Sequence, residues 1–348
     1  MNPWMEQTVR WAYRGQQRSL MGAGTLAQRM ARLLVRHVAR RDPMIPSPRQ
    51  QRALLTSFER LIERDYANAA AGIYPWSLLF QIPVGTYARA LPRLVADLPT
   101  ILARKSRDDW KDLPYGIDLR AYPPYYRRTF HWQSDGYLSR RSAELYDVGV
   151  ELLFGGTADV MRRQTIPPVV AHARGRDRRL RVLEVACGTG RAGVQLLRAL
   201  PDASYVGVDL SPYYLEVARE RLAGDGRVRF VAANAESLPL PDASFDAVLC
   251  VFLFHELPRN ARRRVFGEMR RVLRPGGCLV VEDSVQSSDD EQLGFFLERF
   301  PQDAHEPFYR DYLGDDLAEG LRGAGFIVHS TEQAFLSKVV SAQRPLSA

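Results

Sequence analysis

The chain has 348 residues, 46% hydrophobic and 25% charged, with a formal net charge of +8. That is enough for about two domains with sizeable cores. No apolar run approaches the ~18 residues of a membrane span, and the N-terminus lacks the apolar stretch of a secretory signal, so a cytoplasmic protein is expected. Residues 1–175 hold 26 Lys+Arg against 15 Asp+Glu and the remainder 22 against 25, but 45 of the 48 cations are arginines, a compositional habit rather than a sign of nucleic acid.

Helical spacing runs through residues 5–40, with Leu26, Met30, Leu33, Leu34 and His37 on one side and Arg29, Arg32, Arg36 and Arg40 on another. Such a helix packs its apolar stripe on its own protein or on a homodimer mate, or lies on a membrane surface as a peripheral contact. DPMIPSP at 42–48 ends it, and a second helix is expected at about 49–70. Prolines 75, 83, 92 and 99 then predict short helical pieces, because proline removes a backbone donor. Residues 114–137 are too rich in aromatics for a solvated loop and too irregular for one element. Leu145, Val148 and Leu152 restore a helical pattern over 139–164. Ile166-Pro-Pro and RGRDRR at 174–179 read as the approach to a second domain, so the division expected is 1–175 and 176–348.

From residue 180 strands alternate with helices. Strands are expected at 180–186, 204–208, 228–231, 245–251, 277–282, 326–330 and 335–341, and helices at about 190–199, 212–223, 259–273 and 315–324. The fold class is therefore α/β, a Rossmann-like, mostly parallel sheet preceded by a mostly α-helical N-terminal region. Only TEQ separates the last two strands, too short for a helical crossover, so they form a terminal antiparallel hairpin. Cys187, Cys250 and Cys278 are far apart and outside any C-x-x-C pair, which favours buried thiols over a disulfide or zinc, and no metal is expected.

The first strand runs into VLEVACGTGRAG, where glycines 188, 190 and 193 satisfy G-x-G-x-x-G at a strand-to-helix turn. The spacing alone does not separate NAD from other adenosine ligands, and neither does Asp209 in YVGVDLS, whose carboxylate can take both ribose hydroxyls. Five stretches in order do: VLEVACGTG, VGVDLSPYYLEVAR, ANAESLPLPDASFDAV, LRPGGCLVVED and GFIVHSTEQAFLSKVVSAQ. Over about residues 180–341 the chain resembles the class I S-adenosyl-L-methionine (SAM) dependent methyltransferases, particularly the ubiquinone/menaquinone-biosynthesis branch. The resemblance implies SAM as cofactor, bound by residues 176–348, with residues 1–175 supplying lid and substrate wall. It places Gly188 and Gly190 beside the methionine part, Glu184 near its ammonium, Asp209 on the ribose, Leu210 against the adenine, and Asn234, Ala235 and Glu236 at the adenine edge. Ala186 stands where glycine is frequent in the family and Asn234 where aspartate is, and an amide oxygen still accepts.

A sulfonium methyl is already activated, so the protein mainly aligns a nucleophile and excludes water. A base is needed only for a hydroxyl, phenol or carbon acid. His255, just past the fourth strand in CVFLFHELP, is the first candidate for a base or substrate partner, or else it caps the next helix. Tyr146, in a YD element that resembles the ubiquinone-type enzymes, is a cover over SAM or a core tyrosine. Tyr122, Tyr125, Tyr126, His131, Trp132 and Tyr137 form a lid over an apolar acceptor, His131 being the third catalytic candidate, or an aromatic domain interface. Arg127 and Arg128 are placed to pair with a substrate carboxylate. YPPY at 122–125 lacks the side-chain carbonyl of the amine methyltransferases' D/N/S-P-P-Y/F, which argues against adenine or glutamine as the target. The expectation is methyl transfer to a small hydrophobic or aromatic acceptor, O-methylation ahead of C-methylation of a quinone or isoprenoid-type ring at a membrane surface. A SAM-binding sensor or partner subunit without transferase activity is the reading from another class.

Overall fold

A computed structural model describes residues 3–39, 46–82, 84–107, 110–131, 133, 135–176 and 178–346. The side chains of residues 30–39, residues 40–45 and Trp132 lie outside that description, and with them the stripe formed by Met30, Leu33, Leu34, His37, Arg32, Arg36 and Arg40.

Seven strands form one sheet: β1 Arg181–Val185, β2 Ser204–Asp209, β3 Val228–Ala232, β4 Phe245–Val251, β5 Leu273–Ser284, β6 Ile327–Ala334 and β7 Ser337–Gln343. Their order is β3-β2-β1-β4-β5-β7-β6, parallel except for β7, which runs antiparallel to both neighbours. This is the doubly wound, Rossmann-like sheet with the terminal antiparallel hairpin expected from the sequence. Order reverses at β1, so the crevice lies beyond the carboxyl ends of β1, β2 and β4. β6 runs through TEQ, and the turn is Phe335-Leu336, two residues with Phe335 at φ +61°.

Alternation sorts the side chains. Val182, Leu249, Val280 and Val339 face one layer, while Leu183, Val185, Val248 and Val281 face the other. The second layer is α9 Arg259–Val272 and α12 Leu317–Gly323, which supply Val265, Met269 and Leu321. The first layer is α7 Arg191–Ala199 together with helices from the N-terminal half. Those are α1 Pro3–Ala39, α2 Pro48–Ala70, α5 Ala158–Arg163 and α6 Ile166–Ala173, so one core runs from Tyr13 and Phe58 through Met161 and Val169 to Leu249 and Val339. α8 Pro212–Arg221 follows β2.

The helical half differs from expectation in three places. Val84–Arg107 is one helix, α3, with Pro92 and Pro99 inside it. Each proline removes one hydrogen bond, but Tyr87, Ala90 and Leu94 pack on Leu145, Val148 and Leu152 of α4, Arg140–Leu153. The pattern over 139–164 breaks at Gly155-Gly156, both at positive φ, before α5 begins. Ile166-Pro-Pro opens α6, with proline in the first turn where its missing donor costs nothing. Two helices outside those expected, α10 Gly294–Asp303 and α11 Tyr309–Leu313, fill the stretch after β5.

Buried charges dock these helices. Asp65 on α2 is fully buried and accepts from both Nε and the terminal nitrogen of Arg163 on α5 (2.9 and 2.6 Å). It also accepts from the hydroxyls of Tyr13 and Tyr74. At the exposed end, Arg10, Arg14 and Arg18 of α1 are answered by Glu59 and Glu63 of α2. The three cysteines are buried free thiols.

Candidate active site

A cavity open to solvent, about 950 Å3 when the space at its mouth is included, lies at the crevice. It is lined by Glu184, Ala186, Gly188, Asp209, Leu210, Asn234 and Ala235 of the expected donor site, and by Tyr146. Gly190, Glu236, His255 and His131 do not line it.

Asp209 closes β2. One carboxylate oxygen accepts from the Gly188 N–H (2.8 Å) and the other from the Ser211 N–H (2.8 Å). Burial pushes its pKa up to about 6, against the pull of those N–H groups. Gly188 has φ +53°, and a Cβ built there would meet only a Tyr214 ring carbon at 3.9 Å, so it would project into the cavity. A ligand is therefore free to approach this backbone. Gly190 instead begins α7, and its Cβ would stand 3.3 Å from Ala218 on α8, so this glycine serves helix packing. Gly193 does something the motif alone does not reveal. A Cβ there would stand 2.6 Å from the Tyr205 ring, whose hydroxyl donates to Glu184 at 2.6 Å. The third glycine thus admits the tyrosine that aims the acid.

Glu184 sits mid-sheet between Gly207 and Leu249, and burial pushes its pKa up to about 8 despite the Tyr205 bond. A carboxyl raised by burial ionises more readily once a cationic group lies beside it. Ala186 occupies the left-handed region at φ +57°, the conformation a glycine takes without strain.

Arg162 is a cavity-lining cation that sequence reasoning did not single out. It lines the cavity, is 4% exposed, and pairs with Asp159 (3.0 Å) and Glu151 (3.7 Å). Arg191, also lining, donates to Asp159 (2.9 Å). Asp147, beside Tyr146, accepts from Thr189 (2.9 Å) and pairs with Arg221, tying α4 to the glycine turn. The YD element was visible, but the partners of its aspartate are 42 and 74 residues away.

At the adenine end, Asn234 Oδ1 accepts the Glu236 N–H (2.9 Å) in a local turn. Glu236 is occupied by Tyr125 and Arg264 and does not reach the cavity. Its role is to anchor Tyr125.

Tyr125, Tyr126 and Tyr137 form the opposite wall. The wall is fastened to the sheet crest, because Ser211 Oγ donates to the Tyr137 carbonyl (2.6 Å). Tyr122 stacks on Tyr126 at 5.5 Å, and Tyr146 packs edge-on against Tyr214 at 5.4 Å. Arg127 and Arg128 turn away from the cavity: the first donates to the Tyr122 carbonyl (2.8 Å) and the second lies over Phe308. They are not placed for a substrate carboxylate.

Beyond β4 the cavity is lined by Phe252, Leu253, Glu256 and Leu257, and His255 does not reach it. His255 Nδ1 meets Asp283 at the end of β5 (2.6 Å), and Asp283 also accepts the Phe254 N–H (2.6 Å). Burial would lower the imidazole's pKa, but Asp283, then Glu256 and Glu306, push it up to about 9. The helix after it begins at Arg259 with Pro258 at its cap, so His255 is no cap. Glu256 Oε1 accepts from Tyr137 and lies 2.9 Å from His131 Nε2.

The chemistry of the donor set fits a nucleoside bearing an amino acid: acid for ribose, open backbone, acid for an ammonium, arginine for a carboxylate. Residues 182–277 match the methyltransferase-domain family. The chain is 42% identical over 142 residues to the ubiquinone/menaquinone biosynthesis C-methyltransferase UbiE of Methylobacterium nodulans, covering 40% of this chain and 54% of that protein. It is 32% identical over 189 residues to the demethylmenaquinone methyltransferase of Geobacillus kaustophilus, covering 49% of this chain and 76% of that one. A putative methyltransferase structure from Bacillus halodurans superposes with a TM-score of 0.40 at 21% identity, over 50% of this chain and 96% of that one. The chain belongs to the class I SAM-dependent methyltransferases, in the branch of the ubiquinone/menaquinone-biosynthesis enzymes. SAM is the cofactor of that family. The matches span a little over half the length of the first curated relatives.

Proposed function

We propose that the chain methylates a small, hydrophobic, aromatic acceptor, with a ring carbon of a quinol-type compound ahead of a hydroxyl oxygen. The two relatives above support carbon over the O-methylation expected from sequence, since one is named a C-methyltransferase and the other acts on demethylmenaquinone. The observation that carries the reading is the pairing of a donor cradle, Asp209 with Gly188 and Glu184, with a wall of Tyr126, Tyr137, Tyr146 and Phe252 across the same cavity.

When bound, SAM supplies an electrophilic methyl whose leaving group is a neutral thioether. The rest is done by the protein. Asp209 takes the ribose hydroxyls, Glu184 the ammonium and Arg162 the carboxylate. The tyrosine wall excludes water and stacks an aromatic acceptor. A ring carbon becomes nucleophilic when its phenol loses a proton, and Glu256 is the carboxylate placed to take it. His255, held by Asp283, and His131 surround Glu256 and set its position.

No described helix is long and apolar enough to cross a membrane. A lipid-soluble acceptor on the cytoplasmic side agrees with α1, where Trp4 and Trp11, seven residues apart on one face, are each 79% exposed beside exposed Met5. We assign this face to peripheral membrane contact, with a homodimer interface as its competing use.

The test is incubation of the full chain with methyl-labelled SAM and a naphthoquinol carrying one open ring position. Label recovered as a ring methyl supports the reading. Label on oxygen selects the second reading, and donor binding without transfer to this or a broad acceptor panel selects the sensor.

A further inference from the structure

His131, His255 and Glu306 come from the aromatic segment, the β4 exit and the α10–α11 connection. Each offers one ligand atom, and the three atoms lie within 4.8 Å of one another. Ligands held about 2.0–2.2 Å from one ion stand up to roughly 4.4 Å apart, so the cluster needs only to tighten slightly. We propose that these three side chains bind a divalent first-row transition-metal ion behind Glu256, one layer back from the acceptor cavity.

Four observations carry this. First, Glu306 is 4% exposed with no side-chain exposure, and neither of its oxygens has a hydrogen bond among the described residues. One oxygen stands 2.6 Å from His131 Nδ1, yet off the line a ring N–H would take. The first oxygen thus has this imidazole as its one close partner, and the second has none among the described residues. Second, Asp283 meets His255 Nδ1 at 2.6 Å, which leaves Nε2 as the nitrogen that an ion would take on displacing its proton. This carboxylate–histidine arrangement is the usual support of a metal-bound imidazole. Third, His131 is held at φ +50°, in the region a non-glycine residue occupies under strain, and bridges the backbone at His305, next to Glu306. Fourth, three buried or nearly buried carboxylates, Glu256, Asp283 and Glu306, surround two imidazoles, so the cluster has an excess of negative charge for a cation to balance.

Two imidazole nitrogens and one carboxylate suit zinc, iron(II) or manganese(II), and the cysteines that would select softer ions lie elsewhere. Three protein ligands leave positions open. Glu256, 2.9 Å from His131 and lining the cavity, stands between the cluster and the acceptor, so the ion would act on the acceptor only through the position of this carboxylate. That last step rests on the methyl-transfer reading; ion binding does not.

The experiment uses the full chain, stripped with a chelator, dialysed, and titrated with Zn2+ and separately with Mn2+ by calorimetry. X-ray absorption at the metal edge reads the ligands. One ion per chain with two imidazole nitrogens in its shell is expected for at least one of the two metals. His131→Ala and Glu306→Gln should each weaken it about 100-fold, and Asp283→Asn about 10- to 100-fold. His329→Ala on β6 should bind as the parent does. Thermal melting in metal-free buffer checks folding, and should His131→Ala not fold, Glu306→Gln and His255→Gln decide. Absence of stoichiometric binding of either ion, or binding that survives Glu306→Gln and His255→Gln, overturns the site. S-adenosylhomocysteine binding to the same samples reports the donor pocket separately, so failure of one reading is distinguishable from failure of the other.

Discussion

The sheet and the N-terminal helices are held by different forces. The sheet is an apolar sandwich in which every residue of β4 is buried and alternate side chains of β1, β4 and β5 feed opposite layers. The helices share part of that core, but their docking also runs through charge: Asp65 with Arg163, Asp159 with Arg191, and Asp147 with Arg221. Hydrophobic burial is non-directional and tolerant, whereas a buried ion pair is stable only while both partners are present. The donor site is built on the tolerant half, and Arg162 and Tyr146 are delivered to it by the intolerant one.

The largest effect expected from this contrast is at Asp65. Asp65→Ala leaves Arg163 buried without its partner and should cost about 3–5 kcal/mol in denaturant unfolding. A loss below about 1 kcal/mol would mean that apolar contact alone holds the helices. At the other pole, Asp209→Ala should leave the melting temperature near that of the parent and weaken S-adenosylhomocysteine by about 100-fold, the worth of roughly 3 kcal/mol of charged hydrogen bonds. A large loss of stability there would place Asp209 in the scaffold.

The next effect is a pH dependence. Glu184 is held up to about 8 in the free protein, while an adjacent ammonium favours the ionised form and lowers its pKa on binding. Below pH 8 the ligand must therefore displace a proton, so affinity should rise about tenfold or more between pH 6 and 8, with proton release seen as a buffer-dependent heat. Above about pH 8 the ligand's own amine loses its charge, so the rise ends there. A flat profile would remove Glu184 from the ammonium. The smallest effect is at Ala186. Ala186→Gly relieves a left-handed alanine and should change stability by no more than about 1 kcal/mol while leaving donor affinity intact.

The same contrast decides what could be read in the sequence. β1 to β5 fall within a few residues of expectation because period-two alternation and glycine turns are local signals. That Glu184, Gly188, Asp209 and Asn234 meet at one cavity was legible because each lies just inside or past a strand end within a motif of the resemblance. Gly190 and Glu236 carried the right motif but serve the α8 contact and the Tyr125 anchor, a distinction that needs the third dimension. Arg162, one cation among 45 arginines, has partners spaced 3 and 11 residues away with no period to mark them. Prolines 92 and 99 misled because tertiary packing on α4 overrides a local breaker. The clustering of His131, His255 and Glu306 depends on three segments more than 50 residues apart, which no spacing rule reaches.

The most direct test of the account is a calorimetric titration of the full chain with S-adenosylhomocysteine, run beside NAD and repeated on Asp209→Ala. One site per chain for the former, no heat from the latter, and loss of binding in the variant are the predicted results. An empty titration, or one that Asp209→Ala leaves unchanged, would contradict it.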